Sequence, residues 1–94
     1  MASYNLSYAP KWIKSTTVDA GSVSANSYLD VNIVTSFKPA KVNDIFLVVA
    51  PSLEGGLVIG PGIVTTAGTV TARLTNVTGS PINPASQTFI VVGL

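Results

Sequence analysis

Residues 69–75 read Thr-Val-Thr-Ala-Arg-Leu-Thr, and this stretch decides the fold. Every second residue is apolar, at Val70, Ala72 and Leu74, and the residues between them are polar. Alternation with a period of two is typical of a strand that has one face in the core and the other in water. The stretch therefore predicts a half-buried β-strand.

Further strand-length segments lie on both sides of it, each closed by Gly, Pro, Asn or Ser. They cover residues 15–18, 28–35, 45–50, 57–64 and 87–94. Segment 57–64 is interrupted at Gly60-Pro61-Gly62, and because proline cannot donate a ladder hydrogen bond, we expect an edge position. No helix longer than one turn is expected. The pattern predicts an all-β fold, a single antiparallel β-sandwich of Greek-key or jelly-roll type with about six to eight strands. We place this domain at residues 15–94, after an extended N-terminal arm at residues 1–14.

Segment 45–50 differs from the others because all six of its residues, Ile-Phe-Leu-Val-Val-Ala, are apolar. A strand without polar positions is typically covered on both faces. The cover is either a second sheet or a neighbouring subunit, and the sequence leaves both open.

Catalytic chemistry has little to draw on. The 94 residues include no His and no Cys, and only nine charged side chains. A nucleophile triad lacks its base, and a zinc site lacks its preferred ligands. The acids Asp19, Asp30, Asp44 and Glu54 are scattered singly, which does not suggest the carboxylate pair of a glycosidase. We expect no enzymatic activity, no cofactor and no metal. Asp44 is expected to hydrogen-bond the backbone of the turn before its strand.

Charge and hydropathy limit the choice of partners. A formal net charge of +1 gives no electrostatic footprint for nucleic acid. The apolar stretches 45–50 and 57–59 are too short to span a membrane as a helix, and residues 1–16 contain no signal-peptide core. Residence in a cytosol is expected, so the sequons at Asn5 and Asn76 are not expected to carry glycans. A mean hydropathy of +0.51 favours self-association, because uncharged apolar surface tends to be covered.

Four residues are candidates for protein contacts. Tyr4, Tyr8 and Trp12 recur every four positions, but Pro10 favours an extended arm over a helix. Large aromatic rings dominate interface hot spots, which suits docking, although Trp12 equally fits a position folded back onto the domain. Arg73 is the fourth candidate, either paired with a carboxylate of the same or another subunit or simply solvated.

Six short motifs follow one another along the chain. They are Val42-Asn43-Asp44, Ala50-Pro51-Ser52-Leu53, Gly56-Leu57, Ala67-Gly68-Thr69-Val70-Thr71-Ala72-Arg73, Asn76-Val77-Thr78 and Pro84-Ala85-Ser86-Gln87-Thr88. Together they resemble a short β module of tailed-bacteriophage virion proteins, over roughly residues 15–94. Asn43 departs from the pattern, since glycine is expected there. The resemblance implies adhesion within or on a virus particle, without catalysis or cofactor.

Two functions follow from this resemblance. The first is a capsid decoration or cement protein, a homotrimer that binds the major capsid protein at capsomer junctions of a virion assembled in the bacterial cytoplasm. We expect a free-standing protein of this size, which favours decoration. The alternative is a tail-fibre or spike module whose loops 52–56 and 78–86 contact the host surface, although neither loop contains an aromatic ring. A pilus-like adhesion domain is disfavoured by the expected lack of a secretion signal.

Overall fold

A computed structural model describes residues 12–93, which form seven β-strands and no helix. The strands are β1 (Trp12–Val18), β2 (Ser27–Val34), β3 (Ile45–Val49), β4 (Leu57–Ile59), β5 (Gly62–Thr66), β6 (Thr69–Asn76) and β7 (Gln87–Gly93). Within this part of the chain, no helix has the length and apolar character needed to cross a membrane.

All strands join one antiparallel sheet in the order β1-β7-β3-β5-β6-β2, and β4 pairs with the end of β6. Strand β3 connects the two halves of the sheet. Its first residues, Ile45 and Phe46, pair with β5, whereas Leu47–Val49 pair with β7. The sheet curls into a half-barrel, so that the outermost strands β1 and β2 come close to each other.

Two irregularities accompany the curl. The register of β2 against β6 shifts between Asn32 and Val34, and that of β5 against β6 shifts between Ile63 and Thr66. A bulge bends its strand and increases the local twist, which turns a flat sheet into a curved one. The antiparallel all-β fold expected from the sequence is confirmed, with its sheet as a half-barrel rather than two clearly separate layers.

The core lies on the concave face of the sheet. The expected inward residues Val70, Ala72 and Leu74 are at most 1% exposed, which confirms the alternation along β6. Opposite them, Phe89 and Val91 of β7 are fully buried. The remaining core side chains are Val23, Val31, Ile33, Val34, Ala40, Phe46, Val48, Leu57 and Val64.

The break in segment 57–64 occurs where the sequence predicts it, since β4 ends at Ile59 and β5 begins at Gly62. Strand β4 pairs only with β6 and so lies at an edge, as expected. Strand β5 does not, because it lies between β3 and β6. Pro61 stands between the two strands and therefore removes no ladder hydrogen bond from either.

The first strand begins earlier than the predicted segment 15–18. Strand β1 begins at Trp12, so residues 12–14 of the expected arm are its first three residues. Residues 1–11, with the candidate contacts Tyr4 and Tyr8, lie outside the described residues.

The turn before β3 has a sharply defined backbone. Asn43 has a φ of +76°, a conformation that glycine adopts most easily and that asparagine tolerates better than other residues. The Asp44 carboxylate accepts a hydrogen bond from the Lys41 amide at 3.1 Å, which confirms the structural role expected for this acid. The position at which the resemblance calls for glycine is thus one that needs a positive φ.

Candidate functional site

The convex side of the half-barrel carries an apolar surface across four neighbouring strands. Strand register places Ile13 of β1, Val92 of β7 and Leu47 of β3 in one row. In the same way Ile90 lies beside Val49, and Ile45 lies beside Ile63 of β5. We call this surface the outer apolar face, and it consists of Ile13, Ile45, Leu47, Val49, Ile63, Ile90 and Val92.

Most of these side chains are open to solvent. Ile45 is 71% exposed, Ile13 66% and Leu47 53%, whereas Phe46 and Val48 between them are buried. The first of the two predicted alternatives, that a second sheet covers the other face of segment 45–50, is therefore wrong for the described residues. One face of β3 packs on the core and the other is exposed, because the strands of residues 12–93 form a single sheet and none of them lies over the convex side.

The outer apolar face is also free of charge. The other outward positions on its four strands carry hydroxyl groups, at Ser15 and Thr17 of β1, Thr88 of β7 and Thr65 of β5. No Lys, Arg, Asp or Glu occupies an outward position on these strands within residues 12–93. In globular proteins, exposed apolar patches of this kind are typical of contact surfaces.

The remainder of the convex side, on β2 and β6, is polar. The Arg73 guanidinium donates from Nε to Asp30 Oδ1 at 2.8 Å and from Nη2 to Oδ2 at 3.2 Å. It also stacks over the Tyr28 ring, with Cζ 3.8 Å from the ring centroid. The hydrogen bond from Arg73 holds the pKa of the Asp30 carboxyl below its usual value and raises that of Arg73. Arg73 thus has its carboxylate within the same chain, which answers the question that the sequence left open.

A shallow groove of about 520 Å³ separates this polar surface from the break between β4 and β5. Its apolar wall is formed by Val58, Pro61 and Ile63, and its polar wall by Arg73 and the threonines of β6. Beside it, the Thr71 hydroxyl donates to Asn32 Oδ1 at 2.9 Å. The groove offers surface for binding, with its one acid already paired to arginine.

Trp12 closes one end of the core. Its ring meets Phe37 edge-on at a centroid distance of 6.4 Å, and Phe37 meets Phe46 at 6.2 Å. The Trp12 side chain also lies against Gly93, where a Cβ atom would come within 2.7 Å of its ring. Trp12 nevertheless remains 44% exposed, so its role in docking stays a prediction.

The two loops expected to contact a host surface are joined to each other. The Glu54 carboxylate accepts hydrogen bonds from the Ala85 amide at 2.7 Å and from Gln87 Nε2 at 2.8 Å. These two hydrogen bonds hold the pKa of Glu54 below its ordinary value of 4.5, and the bond from the Ala85 amide has the larger effect. Glu54 is therefore a structural link at this end of the molecule.

The Asn76 sequon is closed to modification in the folded chain. Asn76 is 1% exposed, and its amide nitrogen donates to the carbonyl oxygens of Val23 at 3.0 Å and Ser80 at 2.8 Å. The sequence motif thus serves the core. Within residues 12–93, no three His, Cys, Asp or Glu side chains come together as metal ligands.

Sequence reasoning found Arg73 and Trp12 singly but missed the outer apolar face as a unit. Its members lie on four strands, and only the strand register brings them together. The one available signal was the unbroken apolar run at residues 45–50. No family model, no curated protein and no solved structure matches the chain.

Proposed function

We propose that this chain is a non-enzymatic structural protein of a virion, a capsid decoration protein that acts by burying surface at the junctions between capsomers. The observation that supports this is the outer apolar face. A surface of exposed Ile, Leu and Val side chains without charge is suited to association and offers no group for catalysis. The virion setting rests on the resemblance of the turn motifs, and the partner proposed is the major capsid protein.

The mechanism is additive burial of surface. Each square ångström of apolar surface removed from water contributes about 25 cal/mol. A symmetric particle repeats the same contact many times, so a modest contribution at each junction adds up over the shell. The candidate arm residues Tyr4 and Tyr8 belong to this proposal as contacts with the capsid.

The test uses expanded, emptied capsids of tailed phages and the purified full chain. Bound protein is expected to raise the temperature at which the capsids disassemble. Leu47→Glu, which places a charge in the middle of the outer apolar face, is expected to weaken attachment or abolish the stabilisation. Ser24→Glu, at an exposed position on a loop, is the matched control and is expected to act as wild type. Failure to bind any capsid form would overturn the proposal.

A second candidate, a receptor-binding module, is favoured by the polar surface on β2 and β6. Tyr28 supplies a ring that is 55% exposed, with Arg73 stacked on it, and the Arg73–Asp30 pair and Asn32 supply polar atoms on the same face. A ring beside polar groups is a combination suited to sugar C–H groups and hydroxyls. The two loops lack such a ring. Adsorption of the isolated protein to host cells, competed by free saccharide and lost in Tyr28→Ala, would favour this function over decoration.

A further inference from the structure

We infer that the outer apolar face is the contact between two copies of this chain, which pack sheet against sheet about a two-fold axis. The inference rests on the proposed structural role and names the partner for the main surface. In this arrangement the outer apolar face joins two copies, and Tyr4 and Tyr8 are left as the contacts with the capsid. Leu47→Glu then weakens capsid attachment because the two-site unit is lost. Four observations carry it: the distribution of polarity over the face, its size, its lack of charge and the absence of a second patch like it among residues 12–93.

Apolar and polar side chains are arranged on this face as they are in protein interfaces. Leu47 lies at its centre, with Val92 beside it in the same row and Ile45 and Val49 before and after it on the outward side of β3. Hydroxyl side chains flank this centre, with Ser15 and Thr88 toward one side and Thr71 toward the other. Among residues 12–93, charged side chains lie only at its margins, with Lys41 and Asp44 near Ile45 and Arg73 near Ile63. An apolar centre with few charges and a polar rim is how protein interfaces are built.

The area is that of a small interface. Four strands at a spacing of about 4.8 Å, with five to seven residues each at about 3.3 Å per residue, give a footprint of roughly 20 by 20 Å, or about 400 Å² in flat projection. The accessible surface of a rugged face exceeds its flat projection. The contact therefore belongs to the class of weak, reversible interfaces, which bury up to about 600 Å² per partner.

Because the outer apolar face carries no charged side chain, it can pack against the same face of a second copy. In a two-fold contact each residue near the axis meets its own counterpart, so a charge there would face a like charge. Side chains such as Leu47 and Ile45 carry no such penalty. Because both faces are convex, the two sheets come closest at their apolar centres, around Leu47, where facing side chains can pack at a sheet spacing of about 10 Å.

A trimer would need this face to bind a different surface of the next copy. Among residues 12–93 the other large exposed apolar side chains are distributed over separate elements: Trp12, Tyr28, Val42, Val58 and Val77. They do not form a second patch of comparable extent. The best complement to the outer apolar face in the described part of the chain is therefore the same face, and the assembly unit it builds is a dimer.

The test is the mass of the full chain in solution, measured by sedimentation equilibrium over a range of concentrations. A reversible dimer is expected for wild type and for Ser24→Glu. Leu47→Glu is expected to raise the dimer dissociation constant about a hundredfold or more, because it buries a charge from each copy. A monomeric wild type, a trimer, or an unchanged dimer in Leu47→Glu overturns the inference.

A mixing experiment guards against a folding defect in that variant. Leu47→Glu and Leu47→Lys are each expected to be monomeric, and an equimolar mixture is expected to recover a heterodimer because opposite charges then meet near the axis. A mixture that stays monomeric while both variants keep the wild-type circular dichroism counts against the two-fold contact. The two proposals fail separately: a monomer that still binds capsids overturns the dimer, and a dimer that binds no capsid overturns the structural role.

Discussion

Asn76 is a polar side chain placed among fully buried apolar neighbours, and all of its hydrogen-bonding capacity is used. Its amide donates to two carbonyl oxygens, and its Oδ1 accepts from the backbone and the hydroxyl of Thr78 at 2.9 and 2.7 Å. A buried polar group is stable when every partner is present and costly when one is removed. Asn76 therefore fixes the loop after β6 to the segment that precedes β2.

Replacing this side chain is expected to be costly. Asn76→Ala leaves buried carbonyl and amide groups without partners and should lower the free energy of unfolding by about 2–3 kcal/mol. Asn83→Ala, at an exposed position of the same loop, should change it by no more than about 0.5 kcal/mol. Urea denaturation of the two variants measures both values. Equal stability of the two would contradict the role assigned to Asn76.

Asn43 allows a test of backbone strain. Its φ of +76° is costly for a β-branched residue and free for glycine. Asn43→Gly should therefore match or slightly exceed the stability of wild type, whereas Asn43→Val should lower it by about 1–2 kcal/mol. Lys41→Val, at an exposed position in the same turn, controls for the added apolar surface. Thermal unfolding measures the stability of each variant. An equal loss of stability in Asn43→Val and Lys41→Val would contradict backbone strain at residue 43.

Whether a residue's role was predictable depended on how far away its partners lie. Asp44 bonds a backbone amide three residues earlier, so its role followed from local turn chemistry. The partners of Asn76 include Val23, which is 53 residues away. Nothing local to its Asn-Val-Thr motif indicates burial, so this role could not be predicted from the sequence. Arg73 was expected to face outward, but its choice of Asp30 needed the register of β2 against β6.

At the level of elements, the start of β5 depends on a residue without a side chain. A Cβ atom on Gly62 would lie 2.5 Å from Cγ1 of Val70 and 2.8 Å from Cγ2 of Val48, both in the core. Gly62→Ala should destabilise the fold by about 1–3 kcal/mol, because the core must shift to admit it. Gly79→Ala, where nothing lies within 4 Å, is the control and should be nearly neutral. The difference in urea midpoint between these variants checks the packing at the break.

The link between the loop before β4 and the start of β7 should depend on pH. Its acceptor, Glu54, has a pKa in the folded protein below the ordinary value of 4.5. The link therefore contributes fully to the free energy of unfolding above pH 4.5, and this contribution is lost as the pH falls through the pKa of Glu54 in the folded protein. Glu54→Gln should therefore be less stable than wild type at pH 7, and the difference should shrink below pH 4.5. Asp30 is present in both wild type and Glu54→Gln, so its effect on stability cancels in the difference between them. A difference that stays constant down to pH 2 would contradict this linkage.

Strands were predictable where one face is wet. Strand β6 alternates apolar and polar residues, and its start at Thr69 followed from that alternation, whereas it ends at Asn76, one residue later than predicted. Strand β3 lacks this signal because its outward face is also apolar, so the sequence could not tell a bare face from a covered one. The position of β5 inside the sheet was missed because proline in the connection resembled proline in an edge strand.

For the whole molecule, composition indicated the fold class but not the shape of the sheet. β-branched residues separated by turn residues predict many short strands. The half-barrel depends on bulges in β2 and β5 that leave no local trace in the sequence. A half-barrel has one concave core and one convex surface. A strand that is apolar on both faces is then left with one face bare, and this bare face is the contact surface that we propose.

If two copies share this surface, thermal stability must depend on concentration. Unfolding of a dimer releases two chains, so mass action raises the midpoint with total protein. With an unfolding enthalpy of about 0.7 kcal/mol per residue for a chain of 94 residues, the midpoint should rise by about 4 °C for each tenfold increase in concentration. Ser24→Glu should keep this slope, and Leu47→Glu should unfold at a lower temperature that does not change with concentration. Calorimetry at three concentrations measures the slope. A flat response in wild type, or the same slope in Leu47→Glu, would mean that the outer apolar face is not what joins the copies.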